Sequence, residues 1–137
     1  MTLTLRGVLG PLVTTFDAAS GELDLAAFEA NARAHLAAGM HGLVVAGSTG
    51  EAVLLDEAER ERLLETARAV TPRDRLLIAG IGAEATRTVI RRARHAASTG
   101  VDAVLVVSPY YYRSAMTPDV LLRHFRRVAD ESPIPVV

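Results

Sequence analysis

Three short stretches hold the residues best suited to chemistry: G-S-T-G-E at 47–51, G-I-G-A-E at 80–84 and S-P-Y-Y-Y-R at 108–113. In the first, Gly47 and Gly50 permit backbone conformations that a β-carbon resists. Between them Ser48 and Thr49 offer two hydroxyls beside two backbone N–H groups. Such a donor cluster suits a small anion, a carboxylate above all. The same residues also fit a tight turn whose hydroxyls cap the next helix, and spacing alone leaves both readings open. A nucleophilic serine fits poorly: the hydrolase elbow reads G-x-S-x-G, and Ala46 stands where its first glycine belongs. A phosphate loop of the G-x-x-x-x-G-K-[ST] type needs lysine. All 15 basic residues here are arginine, so no mechanism that uses a side-chain primary amine can be run by this chain alone.

The second stretch matches the G-x-G-x-x-A of dinucleotide-binding turns, with Asp102 20 residues beyond Gly82. A ribose-binding acid sits at the C-terminal end of the next strand, whereas Asp102 precedes the apolar run 103–107. The glycines are better read as letting a loop pass close beneath a site. Tyr110, Tyr111 and Tyr112 are the only tyrosines. A phenol can relay a proton while neutral, yet alternation along the chain lets at most two face one site, so packing or an interface is expected for at least one.

The remaining titratable residues suggest no further site. His35 shares a helix face with Phe28, Ala32 and Leu36 and reads as a satisfied, half-buried histidine. His41 lies in a return loop, and His95 and His124 on separate helices, without zinc-ligand spacing. Arg87, Arg91, Arg92 and Arg94, like Arg123, Arg126 and Arg127, are expected to be solvated faces rather than a nucleic-acid surface, given a net charge of −1. Glu57–Arg60, Glu59–Arg62 and Glu65–Arg68 read as exposed i,i+3 pairs.

The elements that must position these loops are short apolar runs at 7–13, 42–46, 76–79 and 103–107, with a stub at 134–137. They are continuously apolar, as strands of a parallel sheet are. Helical periodicity fills the gaps, clearest in Leu121, Leu122, Phe125, Val128 and Ala129 and in Val89, Ile90, Ala93, Ala96 and Ala97. Thr117-Pro118 reads as a helix cap followed by proline in the first turn; Gly39 and Gly100 stand where helices end. The order β-α-β-α-β-α-β-α-β fits an open doubly wound sheet or part of a (β/α)8 barrel. At 137 residues the chain supplies half of the ~250 residues of a full barrel. The loops after the strands, including T-T-F at 14–16, share the end where parallel α/β proteins bind ligands, so a common site is expected there.

Half the residues are hydrophobic but only 4% aromatic, so the core must be aliphatic. The absence of cysteine excludes disulfides and thiol chemistry. No apolar run reaches the ~20 residues of a membrane span. Gly7, Gly10, Pro11 and Asp17 argue against reading the N-terminus as a signal sequence, so a cytoplasmic location is expected.

G-S-T-G-E, A-G-I-G-A and S-P-Y-Y-Y-R, in this order and at these spacings, resemble the dihydrodipicolinate synthase/N-acetylneuraminate lyase family, from G-V-L-G-P-L-V-T to I-P-V-V. The resemblance implies the N-terminal half of a (β/α)8 barrel, a single partial domain over 1–137 comprising four βα units and a fifth-strand stub. It also implies an enzyme, usually a homotetramer, that makes or breaks carbon–carbon bonds through a pyruvate Schiff base, without metal or organic cofactor. The substrates would be pyruvate and an aldehyde, most simply as in 4-hydroxy-tetrahydrodipicolinate synthase. By position Ser48 resembles a proton-relay hydroxyl, and Thr49 the binder of the pyruvate carboxylate within a turn bounded by Gly47 and Gly50. Tyr111 resembles a relay tyrosine that crosses into a neighbouring subunit. Homo-oligomers would form through Tyr110, Tyr111, Tyr112 and the exposed sheet edges. The family's Schiff-base lysine belongs to the sixth strand and its second tyrosine follows the fifth, both beyond Val137. Thr15 and Ser114 stand where the family favours proline, and Ser48 where many members carry threonine. The alternative reading is a non-catalytic half-barrel that binds small carboxylates or pairs with another chain.

Overall fold

A computed structural model describes residues 3–137. Strands β1 (Leu9–Pro11), β2 (Gly42–Val45), β3 (Leu76–Gly80) and β4 (Ala103–Leu105) alternate with helices α1 (Leu25–Ala37), α2 (Glu57–Val70), α3 (Thr86–Thr99) and α4 (Pro118–Glu131). The strands pair in parallel in the order β1-β2-β3-β4. A doubly wound sheet reverses its strand order at a switch point; this order never reverses. Right-handed crossovers in one direction put all the helices on one face, the arrangement of the N-terminal half of a (β/α)8 barrel.

The strands are shorter than the apolar runs that encode them. The run at 7–13 is strand only over Leu9–Pro11, with Leu12 N still bonding to Val44 O at 2.9 Å just beyond it. The stub at 134–137 is a single parallel bridge, Val104 with Val136, supported by bonds from Val104 N to Pro135 O at 2.9 Å and from Val137 N to Val104 O at 2.8 Å.

Leu43, Val45, Leu77, Ala79 and Val104 meet Phe28, Leu63, Leu64, Ala67, Val89, Ala93 and Val128 in one core between sheet and helices. On the other sheet face Ile78 and Ala103 are buried, while Leu105 at the end of β4 and Val13 and Val107 just beyond the strands are exposed. Asp24 caps α1, Thr117 caps α4 with Pro118 in its first turn, and Asp56 and Glu59 form a reciprocal capping box on α2. Gly100 ends α3 at φ +86°, as its position predicts.

The expected exposed i,i+3 pairs do not form. Arg60 and Arg68 are buried, whereas Glu59 turns back to bond the N–H of Asp56 at 2.9 Å. Arg68 donates to the carbonyls of Gly100 at 3.1 Å and Thr71, and pairs with Asp102 at 3.5 Å. Asp102 also accepts the Leu77 N–H at 2.8 Å. This places Asp102 before β4, at the end of the sheet opposite the ligand loops. Half-buried His35 meets the Asn31 carbonyl at 2.9 Å, as expected.

Candidate active site

After β2 the chain turns at once. Ala46 takes φ +53°, residues Ser48–Gly50 form one 3₁₀ turn, and Glu51 leaves it at φ +54°. These are the only non-glycine residues with positive φ among the described residues. Each costs about 1–2 kcal/mol, so backbone strain gathers on either side of Ser48 and Thr49. The sequence assigned the unusual angles to Gly47 and Gly50. Instead Gly47 is extended at φ −85°, and Gly50 is needed for closeness, since a β-carbon there would lie 3.0 Å from the Leu12 carbonyl. Gly80 explains how the strain at Ala46 is held: its missing β-carbon would sit 2.1 Å from the Ala46 carbonyl. The two loops touch backbone to backbone.

The turn leaves its donors available. Gly50 N and Ala52 N bond to Gly47 O at 3.0 and 3.3 Å, and Glu51 N to Ser48 O at 3.1 Å. The Ser48 and Thr49 hydroxyls are exposed and find no hydrogen-bond partner among the described residues. Helix α2 is capped by Asp56 instead, so the helix-capping reading of the two hydroxyls does not hold.

A cleft of about 520 Å³ opens beside the turn. Gly47 and Ser48 line it, joined by Gly82 and Glu84 from the loop after β3 and by Ser108 and Tyr110 from the loop after β4. Thr49 and Gly50 do not line it, nor does Tyr111, which is 73% exposed. Tyr111 packs edge-on against Tyr112 at 5.0 Å between ring centres. The first loop reaches the site from behind: the buried Thr14 hydroxyl donates to Gly50 O at 2.7 Å. Three loops therefore form the cleft and the fourth buttresses it.

Three residues without a role in the sequence reading hold the loops. Glu84 accepts the Tyr110 and Tyr111 N–H groups at 3.2 and 3.0 Å, tying the loop after β3 to the tyrosines. Arg60, 3% exposed, donates to Ala52 O at 2.7 Å and Gly80 O at 2.9 Å. Burial lowers its guanidinium to about 10, the neighbouring charge of Arg92 adds to the effect, and Glu57 opposes it. Arg92 is not solvated as expected: it donates to Gly82 O at 2.6 Å and pairs with Glu57 across the helices. That hydrogen bond is the main force holding the Glu57 carboxyl below its ordinary range. Arg60 had a signal in the sequence: with Leu63, Leu64 and Ala67 it keeps the i, i+3, i+4, i+7 spacing of the buried face.

His124 is buried; its Nδ1 shares a hydrogen bond with the Thr86 hydroxyl at 2.9 Å, and its Nε2 has no partner among the described residues. Burial pushes its pKa down, against a smaller opposing effect of Glu84. No group of three metal-ligating side chains occurs among the described residues. No described helix is long and apolar enough to cross a membrane.

Residues 4–137 match the family described as the dihydrodipicolinate synthetase family. A 4-hydroxy-tetrahydrodipicolinate synthase of Acidiphilium cryptum is 44% identical over 132 residues, covering 96% of this chain and 44% of that protein. A protein of Emericella nidulans with the provisional name of a mitochondrial 4-hydroxy-2-oxoglutarate aldolase is 42% identical, covering 96% of this chain and 43% of its own length. Among solved structures, that of YagE from E. coli K12 in complex with pyruvate superposes with a TM-score of 0.88 at 32% identity, over 95% of this chain and 43% of that one. The chain thus spans under half the length of these relatives. The family match over residues 4–137 and the unreversed parallel strands agree, and the chain belongs to the dihydrodipicolinate synthetase family.

Proposed function

We propose that residues 1–137 form a single partial domain, the ligand-gripping half of a class I aldolase barrel. Its parent reaction joins pyruvate to an aldehyde or cleaves the product, most simply as a 4-hydroxy-tetrahydrodipicolinate synthase does. The observation that carries this reading is the Ser48–Thr49 pair. Two hydroxyls and two N–H groups, none with a hydrogen-bond partner among the described residues, stand at the C-terminal end of a parallel strand beside a cleft. Those donors suit the pyruvate carboxylate.

In the parent reaction a lysine amine attacks the keto carbon of pyruvate and water leaves. The resulting iminium loses a methyl proton to become an enamine, which adds to the aldehyde carbonyl. The amine must come from outside this chain, which contains no lysine. Thr49 orients the carboxylate with its hydroxyl and N–H. Ser48, at the cleft wall, passes the proton that the carbonyl oxygen gains on its way to water. Tyr111, displayed at the surface beside Tyr112, extends that relay into a second copy of the protein, and the patch around Tyr110, Tyr111 and Tyr112 is the contact between copies.

The missing lysine and the exposed apolar residues Val13, Leu105 and Val107 at the strand ends favour a second reading, a non-catalytic half-barrel that binds small carboxylates or pairs with another chain. Borohydride reduction in the presence of pyruvate, read by mass spectrometry of peptides, separates the two. The aldolase reading expects a lysine adduct in the protein that carries this chain together with its amine, and no side-chain adduct within 3–137. Pyruvate binding with no adduct on any lysine supports the carboxylate-binding half-barrel; no binding rejects the aldolase and leaves the half-barrel only as a partner of another chain.

A further inference from the structure

We infer that Arg60 and Arg92 are positioning residues, a paired clasp that fixes the loop after β2 against the loop after β3 and so sets the shape of the cleft. Buried Arg60 sends its two terminal nitrogens to two segments, Ala52 O in the loop after β2 and Gly80 O at the end of β3. Both carbonyls belong to residues that line the cleft. Arg92 repeats the device one helix on, taking Gly82 O while its other side grips Glu57 on α2. The two guanidinium groups thus connect α2 and α3 to three carbonyls around one opening.

The arrangement is costly, and that cost argues for a role beyond packing. Arg60 makes no salt bridge among the described residues: Glu57, whose charge acts on it, is committed to Arg92. Its buried Nε has no hydrogen-bond partner among the described residues. A well-packed apolar side chain is often as stable as a buried charge or more so. What an apolar chain cannot do is hold two loop carbonyls at a fixed spacing. Lysine cannot do so either, because it lacks the planar fork.

The strain at Ala46 and Glu51 needs such a constraint. The Ser48–Gly50 turn lies between those residues, and Ala52, which Arg60 holds, bonds back to Gly47 O at 3.3 Å. The clasp therefore acts on the turn through Ala52 on one side and through Gly80, pressed against Ala46, on the other.

Amide hydrogen exchange of the ligand-free protein, as its cell makes it, tests this for wild type, Arg60→Met and Arg60→Lys. Both variants should exchange the Gly50, Ala52 and Ile81 amides about tenfold faster. The Leu77 amide, held by Asp102 at the other end of the sheet, should keep its wild-type rate. A general loss of stability would move all four. Arg92→Met, which frees Gly82 O and Glu57 but leaves Arg60 on Ala52 O and Gly80 O, should speed Ile81 but not Gly50, and it serves if Arg60→Met does not fold. A second arm rests on the keto-acid reading: pyruvate titrated by calorimetry should bind about tenfold more weakly to Arg60→Met and Arg60→Lys. Wild-type exchange rates in both loops, or equal acceleration at Leu77, overturn the clasp. Exchange as expected with no pyruvate bound by wild type upholds the clasp and rejects the keto-acid reading instead.

Discussion

Ser48 and Thr49 are neighbours with different surroundings, and the difference separates their expected effects. Ser48 lines the cleft and Thr49 stands beside it. In the complete protein, Ser48→Ala should lower kcat by about 100-fold with little change in KM, as loss of a proton relay does. Thr49→Val removes a donor to a charged ligand and should weaken pyruvate by about 10- to 100-fold; steady-state kinetics and calorimetry distinguish the two. The hydroxyls themselves were legible, since their type and spacing already suggest an anion grip. The residues behind them were less so. Arg60 and Arg68 read as surface charges because arginine is rarely buried unless paired. Their partners are main-chain carbonyls of Ala52, Gly80, Gly100 and Thr71, which no residue-type pattern announces. Glu84 escaped for a similar reason: it binds the backbone N–H groups of Tyr110 and Tyr111 rather than a side chain.

At the scale of elements, capping and close approach decide what the chain tolerates. Asp56→Ala removes the side-chain acceptor of the Glu59 N–H, one half of the capping box on α2, while the backbone N–H at 56 stays available to Glu59, and should cost about 1 kcal/mol in chemical denaturation. Gly80→Ala drives a β-carbon into the Ala46 carbonyl and should cost about 1–3 kcal/mol, with the cleft distorted before the sheet is lost. His124 links α4 to Thr86 at the start of α3. Its folded pKa is depressed by burial. The unfolded chain therefore takes up the proton first, and stability falls as pH drops below the ordinary histidine value of about 6.5. Stability measured between pH 7 and 5 should show that decline, and His124→Gln should flatten it. The elements were legible in their order, since buried runs and 3.6-residue periodicity alternate clearly. Their ends were not: the loop strain sits on Ala46 and Glu51 rather than on the glycines, because Gly80 and Gly50 are spent on close backbone approach instead.

The whole molecule is a four-stranded parallel sheet with helices on one side and exposed apolar residues gathered at the ends of its strands. Val53, Leu54, Tyr111 and Tyr112 are each at least 67% exposed, an apolar display that the proposed contact with a second copy would cover. Tyr112→Ser should shift the protein toward smaller species in sedimentation velocity, and an unchanged distribution would reject that contact. The repeated βα unit was legible in sequence but fitted a doubly wound sheet as well as a half-barrel; the family resemblance implied the half-barrel, and the unreversed strand order bears it out. The central claim is narrower: the Ser48–Thr49 turn grips the carboxylate of a keto acid. A titration of pyruvate into ¹⁵N-labelled protein, followed by backbone amide resonances, tests it most directly. The account predicts the largest saturable shifts at the Ser48 and Thr49 amides, strongly reduced in Thr49→Val. Saturable shifts centred on other residues, or none at any pyruvate concentration, would contradict it.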